Sequence, residues 1–519
     1  MSDKNTYARR SQRHKQEPDI CENTNQLNEA VKSKTGNENK QPKIPKKKSN
    51  YSKYIFALFT AHILVIVATG GYIVYTLKQQ EVEAQTKYET AAKNLMASIQ
   101  EEQDQSGIST KIDTINDGEN KCLIYRPVYE STVPFKNANQ LLDELAQKQQ
   151  KKHREKEVLT VARIKATAIS SKIGQYRIEA DSFIWDRSKE NFKKPDSISE
   201  KAIYVSEKTG KEITNKDLIP DEGSLLGIQQ VIQQSILDHA KELEKIIDAV
   251  LTIDRISYES KMTYTPDELT IDLPKNTTGT TKVILKYRDI APFIDTDLVS
   301  QESIKDALPA LDENKKYVAL TFDDGPNNSS TLDLLNILKT NNVKATFFML
   351  GQMVDQNPDV AKQVHDEGHE VACHLYSHPQ LNTLSTDELQ SEMNKANKAN
   401  KAIFKATGVL PRNIRPPYGA IDKKSAETIG MPIIQWNIDS LDWKTRNPEA
   451  INNVVKQNVF NGAIILIHDI HHESVKAVPG LITMLKNEGY EFVTIDQLLS
   501  GKQKPLHQYF GMNDERLVD

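Results

Sequence analysis

VALTFDDGP, residues 318–326, reads as a strand that runs straight into two carboxylates and a Gly-Pro turn. Val318 to Phe322 are strand formers, and Gly325-Pro326 ends the run. Asp323 and Asp324 repel each other, and each is costly to take out of water. A turn needs only one Asp as a capping residue, so the pair requires a reason from elsewhere in the chain. The pattern around it repeats. From about residue 315, short apolar runs (VALTF, KATFFML, EVACH, NIRPP, PIIQWNI, AIILIH, EFVTI) alternate with helical stretches. Ser385 with Glu388 fits a capping box, and Asn447-Pro448 fits an N-cap followed by Pro at the first helical position. Seven or so β-α units define an α/β domain over 315–500, a parallel sheet closed, or nearly closed, into a distorted (β/α) barrel.

In a β-α barrel the chemistry gathers where strands end. After EVAC come His374 and His378, at an i, i+4 spacing that in a helical turn puts both imidazoles on one face. After NI come Arg415 and Tyr418, after PIIQWNI come Asp439, Asp442 and Trp443, and after AIILI comes His468 with Asp469. Each has a bland reading by itself: a surface histidine pair, a surface ion pair, a turn with a half-buried ring, a hydrogen-bonded strand-end histidine. For His369, His471 and His472 the bland reading is kept. Five strand ends on one rim, all carrying ionisable or aromatic groups, read jointly as a metal site. One carboxylate of the pair joins the two imidazoles as third ligand, and the other acts as a base. Three protein ligands with open positions mark a catalytic rather than a structural site.

Working toward the N-terminus, residues 158–314 carry strand-like runs (LTVARIKATAIS, YRIEADSFIW, KAIYVS, TKVILKYRDI) around a long helical run. They read as an α+β middle domain without a catalytic constellation. Residues 78–157 read as a helical stalk and N-terminal extracellular region, and 501–519 as a C-terminal tail. Residues 54–77 contain no Asp, Glu, Lys or Arg. At ~1.5 Å per residue they cross a ~30 Å hydrocarbon layer as one transmembrane helix. Residues 1–53 hold 13 Lys or Arg against 6 Asp or Glu, a net of +7, which leaves −11 on the remainder of a chain whose total is −4. This polar basic head reads as disordered, and its lysines before Tyr54 place it in the cytoplasm and residues 78–519 outside. An acidic body argues against nucleic-acid binding. Outside the membrane only Cys122 and Cys373 are present, enough for one bridge but not for a disulfide framework.

TFDDGP, HLYSHP, RPPYG, DSLDW and LIH, in this order, resemble the motifs of the metal-dependent polysaccharide deacetylases, carbohydrate esterase family four. The match covers roughly residues 315–500. With the membrane anchor and the middle domain, the architecture is similar to that of surface-anchored peptidoglycan N-acetylglucosamine deacetylases. The resemblance implies that Asp324, His374 and His378 hold zinc, a ligand set that cobalt, nickel or iron also accepts. It implies Asp323 as general base, Arg415 as its orienter and His468 as general acid tuned by Asp442. The backbone N–H of Tyr418 would face the oxyanion, and Trp443 and Leu466 would wall the acetyl pocket. The implied reaction is removal of acetyl from N-acetylglucosamine in peptidoglycan. The alternatives are another N-acetylglucosamine polymer, such as poly-N-acetylglucosamine or a chitin-like glycan, and a wall-binding scaffold without turnover. One position departs from the family: Leu375 stands where a Ser or Thr usually steadies the loop after the first His. On that basis Leu375→Ser is expected to be neutral or favourable.

Overall fold

The computed structural model describes residues 51–117, 120–154, 157–193, 195–305, 307 and 310–519. The reading of residues 1–50 as a disordered cytoplasmic head, with Cys21 and the lysines before Tyr51, lies outside the described residues. The chain divides into two units, residues 1–81 and 82–519. In the first, the described part is helix, within an element running Tyr51–Gln105. That helix is long and apolar enough to cross a membrane.

In the second unit, a seven-stranded sheet is built mainly on the strands Thr110–Asp117, Asn120–Pro127, Val158–Ala168 and Ile173–Asp186, which neighbour one another in that order. Asn120–Pro127 pairs parallel with Val158–Ala168, and the helix Ala138–Lys152 provides the crossover. Alternation sends Cys122 and Ile124 to the face covered by this helix, against Leu142, Ile164 and Ile178. Leu123, Tyr125 and Val161 point to the other face, against Ile99 of the long N-terminal helix. Arg163 reaches back from the sheet to Glu102 of that helix at 2.8 Å. A domain boundary at 157/158 therefore cuts through one sheet. Strands 110–127, assigned by sequence to a stalk region, belong with 158–186, because parallel pairing brings together segments that no local pattern connects.

The helices Glu222–Asp238 and Leu243–Leu251 pack on a small sheet of Met262–Tyr264, Glu268–Asp272 and Lys282–Lys286 around Ile228, Ile232, Leu269, Ile271, Tyr287 and Phe293. Phe404, from the helix Thr386–Thr407 of the following domain, belongs to this same core. Lys401 and Lys405 of that helix pair with Asp248 (2.6 Å) and Glu244 (3.1 Å). Gln230 donates to the Arg412 carbonyl, and Arg255 donates to the carbonyls of Glu427 and Thr428.

The C-terminal sheet has nine strands. Glu370–Cys373, Thr346–Met349, Lys316–Asp323 and Ala463–His468 lie side by side and parallel. His507–Gly511 follows antiparallel, then Ile433–Ile434. Isolated bridges join Cys373 to Ile414 and Ile414 to Ile433, so the curled sheet meets itself. The segment read as a tail is a sheet hairpin, His507–Gly511 with Asp514–Leu517. Its short, polar strands carry no apolar run to announce them. NIRPP contributes one bridging residue, Ile414, rather than a strand, since two prolines remove the donors a ladder needs. The expected caps form. Ser385 and Glu388 make a capping box, and Asn447 accepts from the Ala450 N–H (2.9 Å) ahead of Pro448. Cys122 and Cys373 are buried free thiols in separate cores.

Candidate active site

Strand register alone brings the two ends of the chemistry together. Asp323 ends its strand beside His468, the two residues being direct partners across the parallel pair. Thr321, one alternation earlier, donates to the Ile465 carbonyl at 2.7 Å and fixes that register.

Arg415 is fully buried behind Asp323. Its Nη1 donates to Asp323 Oδ1 (2.7 Å) and Thr321 Oγ1 (2.8 Å), its Nη2 to the Gln435 carbonyl (3.0 Å) and its Nε to the Ile434 carbonyl (3.2 Å). The guanidinium lies 4.1 Å over the Phe348 ring. Burial pushes the Asp323 carboxyl up, and the Arg415 charge beside it offsets only part of that, so the net shift is upward. The same residue also serves the second half of the site: its carbonyl accepts from His374 Nδ1 at 2.6 Å. A carbonyl only accepts, so the tautomer is fixed with Nε2 bare. Burial holds His374 neutral, pushing its pKa down to about 3.

His374 Nε2 and His378 Nε2 each lie 3.5 Å from Asp324 Oδ1, and the three donors lie within 4.8 Å of one another. Asp324 Oδ1 is buried without a hydrogen-bond partner. The bare His374 nitrogen, the His378 Nε2 and an unpartnered carboxylate oxygen, converging within 4.8 Å, fit a divalent metal ion.

Asp442 is completely buried, yet accepts from His468 Nδ1 (2.9 Å), His468 N (2.9 Å), Ser474 Oγ (2.6 Å) and Ser440 Oγ (3.2 Å). Burial raises its carboxyl, but these donors outweigh it and the net shift is downward. Burial likewise works against charge on His468, but the hydrogen bond and charge of Asp442 raise it to about 9. At the rim, Tyr418 is exposed with its ring 4.6 Å from that of His378, and its N–H makes no hydrogen bond to any described residue. Trp443 is half exposed and Nε1 reaches Asp439 Oδ2 at 3.4 Å, while Leu466 is buried. The structure thus joins Asp323, Arg415, Asp442 and His468 by hydrogen bonds and strand register and groups Asp324, His374 and His378, with Tyr418 against His378. Leu466 precedes His468 on its strand, and Trp443 follows Asp442. Of the others, His369 is buried accepting from the Ala345 N–H, and His471 lies beside His468 with ring centres 6.0 Å apart. Sequence reading did not single out Thr321, Ser440 or Ser474 as partners. Thr321 alone had a signal, as the polar residue on an otherwise apolar strand.

The loop from His374 to His378 is not the helical turn that the spacing suggested. Leu375 and His378 have φ of 63° and 64°. These left-handed residues turn the two imidazoles inward without a helix. Among the described residues with positive φ, Asp324, Leu375, His378 and Tyr418 lie at the site, and Leu441 directly precedes Asp442. Such conformations cost of order 1–3 kcal/mol each and persist where the surroundings over-determine them.

Leu375 supplies part of that surrounding. It is 1% exposed within the main core, and its carbonyl accepts from Gly351 N at 2.9 Å. A buried leucine anchors the loop where a hydroxyl was expected, which overturns the expectation for its replacement. Leu375→Ser should cost about 2–5 kcal/mol, the usual range for emptying a buried leucine site, and lower metal affinity with it. Chemical denaturation and a zinc titration check this; unchanged stability would mean that the side chain does not anchor the loop.

A family model for polysaccharide deacetylase matches residues 310–433, and one for the peptidoglycan GlcNAc deacetylase N-terminal domain matches residues 93–306. The peptidoglycan-N-acetylglucosamine deacetylase PgdA of Listeria monocytogenes is 38% identical over 325 residues, covering 61% of this chain and 68% of that protein. A peptidoglycan-N-acetylglucosamine deacetylase of Bacillus cereus is 40% identical over 192 residues, 36% of this chain and 69% of that protein. The peptidoglycan-N-acetylmuramic acid deacetylase PdaC of Bacillus subtilis is 39% identical over 194 residues, 37% and 41% of the two chains. This chain belongs to the polysaccharide deacetylase family. The match to an N-terminal domain model beginning at 93 also accords with the sheet that straddles 157/158.

Proposed function

We propose that this protein is a metal-dependent hydrolase that removes the acetyl group from N-acetylglucosamine residues of peptidoglycan and releases acetate. The observation that carries the reading is the register pairing of Asp323 with His468 beside the Asp324–His374–His378 cluster. A carboxyl group and an imidazole, the two kinds of proton-transfer group that amide hydrolysis calls on, end adjacent strands. Asp324, His374 and His378 would hold a divalent ion of the zinc type. When bound, that ion supplies Lewis acidity toward the amide carbonyl and toward water.

Asp323, whose charged form the Arg415 guanidinium favours, takes the proton of the attacking water. The free N–H of Tyr418 donates to the oxygen on which negative charge develops. His468 enters charged at neutral pH and gives its proton to the departing amine, because an amine is a poor leaving group until protonated. Asp442 holds the ring so that Nε2 carries that proton. Trp443 and Leu466 line the space for the acetyl methyl. Acetate release from purified peptidoglycan, compared with chitin oligomers and poly-N-acetylglucosamine, tests the substrate. No acetate from peptidoglycan would sink the reading, and no acetate from any of them would favour a binding scaffold.

The alkaline limb of kcat/KM reports His468. Asp442→Asn removes its largest raising influence while burial, which lowers it, stays. The limb should therefore move to lower pH and the rate at neutral pH should fall. A pH–rate profile with an unmoved limb would exclude His468 as the acid.

For the chain as a whole, the apolar helix supports a single membrane anchor, with the catalytic region outside the cell, where peptidoglycan lies. Protease added to wall-stripped cells should digest residues 78–519; protection until lysis would reverse the orientation.

A further inference from the structure

Asp469 is a buried carboxylate that the proposed chemistry does not use. It follows His468 at the end of the strand Ala463–His468 and is 1% exposed. Among the described residues no Lys, Arg or His pairs with it. Oδ2 accepts from Thr331 Oγ1 at 2.5 Å, and Oδ1 has no hydrogen-bond partner. A leucine would bury there at less cost than an unpaired carboxyl group. Its surroundings explain the carboxyl group. A Cβ added at Gly325 would fall well inside contact distance of Asp469 Oδ2, Oδ1 and Cγ. Gly325 is not in the left-handed region, so its backbone would accept alanine. Space, not conformation, excludes a side chain at 325. Thr331, itself fully buried, accepts from the Asn327 N–H at 2.8 Å, and Leu350 N donates to the Gly325 carbonyl at 3.0 Å.

We infer that Asp469 is a positioning residue, which fixes the loop carrying Asp323 and Asp324 by closing flat against Gly325 and holding Asn327 through Thr331. Because it adjoins His468, it also ties the strand end of the acid to the loop of the base and the ligand. The inference rests on the reading of Asp324 as a metal ligand.

A double-mutant cycle on the full chain in detergent tests it, with zinc affinity read by competition against a chromophoric chelator and thermal stability followed in parallel. Gly325→Ala and Asp469→Ala should each weaken zinc binding by roughly 10–100-fold, the usual effect of losing a partner that orients a ligand. Combined, they should lose no more than Asp469→Ala alone, because the new methyl enters the space the carboxylate vacated. Asp469→Asn, which keeps the shape and an acceptor for Thr331, should stay within a few-fold of the parent. If Asp469→Ala does not fold, Asp469→Ser completes the same cycle. Independent losses that multiply would overturn the inference, as would variants that melt earlier yet bind zinc as the parent does. A parent protein that binds no zinc at all would instead overturn the metal reading itself.

Discussion

Asp323→Asn should keep its zinc and its fold and lose turnover, whereas Asp324→Asn should lose zinc. The two carboxylates are adjacent, but their surroundings differ in kind. Asp323 is tied through Oδ1 to a buried guanidinium, and its Oδ2 stands 4.0 Å from His374 Nε2. An asparagine there must turn its oxygen to Arg415, which can only donate. Its NH2 group then faces the site, where it cannot take a proton from water. General-base catalysis is typically worth ~10²–10⁴-fold, so a loss of at least that order in kcat is expected, with a much smaller change in substrate affinity. Asp324 instead offers an unpartnered oxygen to two imidazoles, and a neutral amide is a poorer donor to a divalent cation. Zinc content and acetate release, measured on both variants, decide the assignment. If Asp323→Asn loses metal and Asp324→Asn retains it, the roles are reversed.

Arg415→Met should be the most destabilising change in the site. It removes one half of a buried ion pair and strips the donors from the Ile434 and Gln435 carbonyls. Breaking a buried pair on one side typically costs ~3–5 kcal/mol, because the remaining charge is left buried without a partner. Removing both charges with Asp323→Leu in the same chain should recover much of that loss while leaving the protein inactive. Chemical denaturation of the single and double variants measures this. Equal destabilisation in both would mean that the carbonyl contacts of Arg415, not its charge pairing, hold the site together.

Much of this site was legible because strands have a period of two and end where the apolar run ends. Asp323, Cys373 before His374, and His468 are each the last residue of such a run, so motif order translated directly into position on one rim. The contacts that finish the site were not legible. The bond from His374 to the main chain of Arg415 spans 41 residues and uses a carbonyl, which every residue has. The left-handed turn at Leu375 falls on a residue type that rarely adopts it, and a single histidine does not announce the turn at His378, so the i, i+4 spacing suggested a helix. The hairpin 507–517 joins the sheet by pairing with strands far upstream, and the 110–127 strands join theirs across a helix. In each case the missing information was a long-range partner, not a local preference.

The position of Phe404 bears on how the protein could be divided or recombined. The helix Thr386–Thr407 belongs by chain to the catalytic domain, yet buries this ring in the hydrophobic core of its neighbour. A fragment starting at 315 would present Phe404 and Leu410 to water, together with the unmatched charges of Lys401 and Lys405. The catalytic domain is therefore not a free-standing cassette. Grafting it onto another anchor would call for a polar replacement of Phe404 or for transfer of residues 222–298 along with it, so exchange between relatives should succeed most readily when the two domains travel as one block.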